Sequence, residues 1–215
     1  MHHRTPSLLL SILLLTHTAP AFAAFVEDIT LDPAERAEQL FFDPAIEGAL
    51  PSTTVTRSAL VRMIVERLYL PEEIEGCFSD ISAMAIPSFT LLYSDVHVDH
   101  PDAEYLCIAL RDGIARGYGD GSFHPDRPVN FAESAKIISR SFILAPYGEL
   151  ASGPWFQPYV SALTMRNAVP VSIVRFDQAM TGVQLNEIIT RIVGGITWEK
   201  SQTYPVLEQM SARKL

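Results

Sequence analysis

Cationic side chains are scarce in this sequence of 215 residues, where 16 Lys and Arg stand against 25 Asp and Glu for a formal net charge of −9. Affinity for nucleic acid rests on neutralising phosphates with Lys and Arg, so the balance excludes nucleic acid as a partner, and with it a broad basic face for anionic lipid. An anionic partner would have to be recognised by a few placed cations rather than by bulk charge. Long apolar runs are missing too. The run Leu8 to Leu15 falls well short of the roughly 20 residues a spanning helix needs, and no later segment makes up the length. Catalytic motifs are equally absent: there is no Gly-x-Ser-x-Gly, no His-Glu-x-x-His, and no Ser or Cys set beside a base. Glu72, Glu73 and Asp80 are acids enough for a glycosidase-like pair, but acids in such a run are usually a solvated face. The chain is therefore not expected to be an enzyme or to carry a cofactor.

Cysteine is limited to Cys77 and Cys107. An even count in an exported chain invites a disulfide, here closing a loop of about 30 residues with a chain-entropy gain of roughly 3–4 kcal/mol. The alternative is a pair of buried free thiols; two zinc ligands with no second Cys or His pair are a poor metal site. Export is suggested by the opening "MHHRTPSLLLSILLLTHTAPAFAAF", with Arg4 before the apolar run and a small-residue exit at Ala21-Phe22-Ala23. Residues 1–23 are read as a secretory signal peptide and 24–41 as a lead-in. Removing the peptide takes away one Arg and no acid, moving the formal charge from −9 to −10.

What the chain does have is internal similarity. "LPSTTVTRSALVRMIVERL" from Leu50, "SFHPDRPVNFAESAKIISRSF" from Ser122 and "IVRFDQAMTGVQLNEIITRIV" from Ile173 each close a loop and open an amphipathic helix. Leu60, Ile64 and Leu68 recur at helical spacing in the first, Ile138 and Phe142 in the second, and Leu185, Ile188, Ile189 and Ile192 in the third. Thr56, Asn130 and Thr181 stand where an N-cap oxygen is wanted, and Glu133 completes a capping-box pattern with Asn130. A second helix type, "PDAEYLCIALRDG" and "WFQPYVSALTMRN", aligns Tyr105 with Tyr159 and ends at Gly113 and Asn167, residues that tolerate a left-handed C-cap. From Thr56 to Asn130 is 130 − 56 = 74 residues and from Asn130 to Thr181 is 181 − 130 = 51; the excess of about 20 lies between Cys77 and Asp95, a stretch that offers two near-copies of one motif, "FSDI" and "YSDV". Residues 81–92 are read as an insertion that the cysteine pair pins down.

The stretch "YSDVHVDHPDAEYLCIALRDGIARGYGDGSFHPDRPVNFAESAKIISRSF", Tyr93 to Phe142, resembles a complete S-layer homology module, with its aromatic-x-Asp-Val start and its Gly-Tyr-x-Asp-Gly-x-Phe-x-Pro loop. The resemblance implies an all-α fold, helix-loop-helix repeats packed around a pseudo-threefold axis. Module 1 is expected over 42–80, mainly as its second half, module 2 over 93–146, module 3 over 147–193, and a linker and partly ordered tail over 194–215. It further implies a non-enzymatic protein of the cell envelope or cell surface, held to a cell-wall polysaccharide or peptidoglycan-linked polymer through grooves between repeats. The alternative is a structural or adaptor role through contacts with other envelope proteins.

Within the resemblance, the Arg of the family's Thr-Arg-Ala-Glu tetrapeptide is the usual cationic partner of an acidic glycan. Arg57 in "VTRS" matches it, whereas Phe131 holds that place in "NFAE" and Gly182 in "TGVQ". Arg116, Asp120, Arg127 and Lys136 complete the candidate glycan set. In the loop, Gly117, Gly119 and Gly121 are expected to supply backbone conformations barred to other residues, Phe123 to plug into the core, and Pro125 and Pro128 to stiffen the approach to the next helix. "DVHVDHPD" mixes histidines and acids in a way that suits a metal, but the resemblance places it at a helix start with Asp99 as a cap. Asp120 and Asp126 are too few for a calcium loop of the EF-hand kind, and no metal site is expected.

Overall fold

The computed structural model describes residues 53–84, 91–144 and 153–213. The proposed signal peptide, the lead-in, the starts of modules 1 and 3 and half of the proposed insertion lie outside them. Among the described residues there are seven helices: α1 Arg57–Leu68, α2 Pro71–Met84, α3 Ala103–Arg111, α4 Phe131–Ser141, α5 Gln157–Thr164, α6 Gly182–Val193 and α7 Tyr204–Ala212. An antiparallel hairpin of β1 Leu91–Tyr93 and β2 Val96–His97 lies between α2 and α3, so the fold is helix-rich but not purely helical. None of these helices is long and apolar enough to cross a membrane.

Capping decides where the three long amphipathic helices begin. Thr56 Oγ1 accepts from the Ala59 N–H at 3.2 Å, and Asn130 and Thr181 form full capping boxes with Glu133 and Gln184. Past each cap, apolar side chains at helical spacing go inward: Leu60, Ile64, Ile138, Leu185, Ile188 and Ile189 are fully buried in one shared core. The residues just before the caps join the three helices at their starts. Val55 N–H donates to Met180 O at 2.9 Å, Met180 N–H to Val129 O at 3.0 Å, and Val129 N–H to Val55 O at 3.0 Å, closing a ring. A second pattern recurs around it. Arg57 and Ser58 donate main-chain N–H groups to Arg127 O and Pro125 O, and Phe131 and Ala132 do the same to Gln178 O and Phe176 O.

The loop from Gly117 to Asn130 is fixed from both sides. Asp95, in the hairpin turn, accepts the N–H groups of Phe123 and His124, both at 2.7 Å, while the buried Phe123 ring packs 5.0 Å from Tyr93. Asp120 accepts from both the N–H and the hydroxyl of Ser122, which shapes the turn. The three glycines differ in role. Gly121 alone has a left-handed φ, +83°, and Gly119 has open space around it. Gly117 is required for close approach: a Cβ there would lie 2.6 Å from Ser122 O and 2.9 Å from the Tyr93 ring. Gly117→Ala is thus expected to destabilise by about 1–3 kcal/mol, the usual cost of overpacking, with a Tm fall of roughly 3–10 °C. Gly119→Ala should be neutral within about 0.5 kcal/mol; thermal melts of the two variants check the contrast.

Several expectations are corrected here. "FSDI" and "YSDV" are not structural copies. Pro71 and the first-turn acids Glu72 and Glu73 start α2, which runs on through residues 78–81, whereas "YSDV" forms the hairpin turn. The boundary at residue 81 therefore falls inside a helix. Asp99 does not cap α3; it pairs with His97 Nδ1 at 2.7 Å, and Asp102 holds the N-cap position without a side-chain bond. The segment after Val193, expected as a linker and partly ordered tail, is ordered over Tyr204–Ala212. It carries α7, whose Leu207 is fully buried, and Pro205 in the first turn suits a helix start. Gly113 and Asn167 do take left-handed φ, +70° and +54°. Cys77 and Cys107 form a disulfide that ties α2 to α3.

Candidate functional site

The N-terminus of α1 brings Arg57 against the loop that follows α3. Only 7% of the residue is exposed, because the guanidinium lies 4.6 Å from the Phe123 ring centroid and 5.0 Å from that of Tyr118. Nη2 donates to Arg116 O at 2.8 Å, and among the described residues the buried Nε has no hydrogen-bond partner. Burial lowers the pKa of this guanidinium, and the charges of Tyr118 and Glu133 partly oppose the fall. Arginine stays cationic under such a shift, so the structure holds a desolvated positive charge with an unfilled donor.

A groove of about 550 Å³ opens beside this group. Arg57, Arg116, Lys136 and Arg140 supply its charge, and Tyr118 and Trp155 supply aromatic walls. Lys136 Nζ stands 5.3 Å from the Trp155 ring centroid and 5.8 Å from that of Tyr159, while Arg140 donates weakly to Gly113 O at 3.4 Å. Trp155 is 54% exposed despite its size, which leaves ring surface available to a ligand. The one carboxylate in the lining, Glu133, is already engaged. It pairs with Arg127, accepts from the Tyr118 hydroxyl at 3.1 Å, and accepts from the Asn130 N–H at 3.3 Å. Burial works to raise its pKa, and these donors outweigh burial and hold it below the usual carboxylate range. Lys136 moves down from 10.5, chiefly through burial and then through Arg140, Arg57 and Arg116. In a chain of net charge −9, four cations thus converge around a carboxylate that is neutralised from elsewhere.

Of the sequence-derived candidates, the structure gathers Arg57, Arg116 and Lys136 in the groove with Gly117. Arg127 lies outside its lining, bound to Glu133 and Tyr118, and Asp120 is spent on the Ser122 turn. Arg140, Tyr118 and Trp155 escaped the sequence reading. Arg140 follows Lys136 by four residues and so shares its helix face, a readable signal. Trp155 arrives from the start of α5, and nothing in its local sequence points to the groove. Among the described residues no three His, Cys, Asp or Glu side chains gather as metal ligands.

Residues 92–135 match the S-layer homology domain family. That stretch contains the hairpin, α3, the whole glycine loop and the start of α4, and it contributes Arg116, Tyr118 and Glu133 to the groove. No curated protein matches the chain.

Proposed function

We propose that this chain, which carries an S-layer homology domain, holds an acidic cell-wall glycan in the groove between α1, the glycine loop and α4. S-layer homology domains are cell-surface anchoring modules that bind cell-wall polymers. The observation that carries the finer reading is the convergence of Arg57, Arg116, Lys136 and Arg140 with no free counter-ion in the lining, next to an exposed Trp155. A sugar acid meets both demands: its carboxylate satisfies the desolvated guanidinium, and its ring face packs on the indole.

A three-module organisation underlies this reading, and the ring of Val55, Val129 and Met180 supports it with one main-chain link per module. The groove then lies at the junction of modules 1 and 2, with Trp155 reaching in from module 3. Export of the chain is part of the same proposal, and a buried disulfide suits an oxidising compartment. The test is a pull-down of residues 24–215 on purified cell walls, before and after chemical removal of the non-peptidoglycan polymer. Binding that vanishes with the polymer supports the glycan site. Binding unchanged by its removal, or absent from both preparations, sinks it.

An adaptor role has one observation in its favour. Met165 and Trp198 are 76% and 77% exposed, and the Asn167 Nδ2 to Thr197 O bond ties together the segments that carry them; neither lines the groove. Capture of an envelope protein that is abolished by Trp198→Ser and unaffected by Arg57→Ala would favour that reading.

Alkaline pH separates charge from fold. Because the Lys136 pKa is depressed below 10.5, its charge is lost earlier than that of an ordinary lysine as pH rises. Glycan affinity is expected to decline across that window, and Lys136→Gln should bind more weakly at neutral pH and show no such decline. The fold responds with the opposite sign: in the same window the unfolded state binds more protons at Lys136, so this group adds stability as pH rises. Titration by calorimetry alongside thermal melts distinguishes lost binding from lost structure.

A further inference from the structure

We propose that the segment from Thr197 to Arg213 is a fixed internal occupant of a second groove, so that the chain presents a single glycan site. The geometric correspondence comes from the paired helix starts. Arg57 and Phe131 each donate a main-chain N–H across a junction, to Arg127 O and Gln178 O. Carrying the register forward from the caps Asn130 and Thr181, Lys136 corresponds to Glu187 and Arg140 to Arg191. From the left-handed residues Gly113 and Asn167 that follow α3 and α5, Ala115 corresponds to Val169 and Gly117 to Val171. The second groove is therefore expected beside Val169, Val171 and Arg191.

That place is filled by the chain itself. Gln202 donates its N–H to Val169 O at 2.9 Å and its side-chain amide to Val171 O at 3.2 Å. Ser201 Oγ donates to Val169 O and accepts from its N–H. The buried Arg191 donates to Lys200 O at 3.0 Å, whereas its counterpart in the first groove, Arg140, makes among the described residues only the 3.4 Å hydrogen bond to Gly113 O. Beyond the extended part, α7 seals the end: Leu207 is buried, Tyr204 packs 5.4 Å from Phe176, and Ser211 accepts the Phe176 N–H. The occupant also suits the lining. Phe131, Pro170 and Glu187 stand where Arg57, Arg116 and Lys136 would hold an anion, so a neutral backbone segment fits where an acidic sugar would not.

The single-site conclusion rests on the glycan reading above, whereas the occupant does not, and the experiment keeps them apart. Hydrogen exchange of the full chain at neutral pH should show the Gln202 and Leu207 amides protected at least about 1,000-fold, as part of the cooperative unit. Leu207→Ala, or a chain ending at Gly195, should lower Tm by about 5–15 °C. Rapid exchange at both amides, or an unchanged Tm in both variants, overturns the occupant even if the truncated chain proves unstable. Calorimetric titration of full-length protein with an acidic oligosaccharide fragment of the wall polymer should give one site per chain, and Leu207→Ala should keep that number. Two sites in either protein overturn the single-site conclusion. No heat with the fragment, together with protected amides, would instead remove the glycan reading and leave the occupant standing.

Discussion

Arg57→Ala is expected to weaken wall-polymer binding by about 100-fold while leaving the chain folded. A hydrogen-bonded pair between a guanidinium and a carboxylate, removed from water, accounts for roughly 2–3 kcal/mol, and each 1.4 kcal/mol is about tenfold in affinity. Little of the fold depends on this side chain. The Arg57 to Arg127 bond is made by the main chain, Thr56 still caps the helix, and alanine is a good helix former. What is lost is the Nη2 bond to Arg116 O and the stacking of the guanidinium on Phe123 and Tyr118, together about 2 kcal/mol, set against relief of a buried Nε with no hydrogen-bond partner among the described residues. Arg57→Lys should recover part of the affinity at most, because an ammonium restores the charge but not the planar fork. Equal affinity in wild type and Arg57→Ala, measured by calorimetry on chains of matched Tm, would mean that the groove does not bind through this charge.

The loss should also be specific among the cations. Arg127 lies in the loop that the start of α1 packs against, yet its charge is spent on Glu133, so Arg127→Ala is expected to act by freeing that carboxylate beside the groove. The sequence-derived candidate Arg127 is paired with Glu133 instead of lining the groove, and the reason is geometric. The seven residues from Arg127 to Glu133 include the cap at Asn130, where the chain turns from extended to helical, and that turn brings the two side chains face to face. No rule of spacing within a helix or a strand encodes such a pairing.

Much of the fold was legible because it rests on short-range chemistry. Caps at Thr56, Asn130 and Thr181, helical spacing of Leu, Ile and Val, and left-handed stops at Gly113 and Asn167 are all written in neighbouring residues. The errors fall where a short motif has two possible settings. "FSDI" lies downstream of a proline and two acids that start a helix, and local context overrides the four-residue likeness to "YSDV". The segment after Val193 begins Gly-Gly and is mixed in polarity, so nothing in its pattern announces burial. Its order comes from partners at distance, Val169, Arg191 and Phe176, which sequence alone cannot assign.

Loss of the Cys77–Cys107 bond should produce the largest change in stability and almost none in recognition. Closing a loop of separation 30 is worth about 3–4 kcal/mol in chain entropy, a large part of the roughly 5–15 kcal/mol that holds a domain folded. A Cys77→Ala/Cys107→Ala chain is expected to melt about 7–15 °C lower. The loss should be uneven. The bond ties α2 to α3, and α2 contributes nothing to the groove, whose lining comes from α1, the glycine loop, α4 and Trp155. Amides of α2 are therefore expected to lose exchange protection first, while glycan affinity below the melting range stays within a factor of about two. Both cysteines are fully buried, so dithiothreitol alone should reduce the bond slowly, at the rate at which α2 opens, and quickly once denaturant is added. Groove affinity that falls in step with Tm would show instead that α2 braces α1 against the loop, and that the disulfide holds Arg57 in place rather than merely closing the chain.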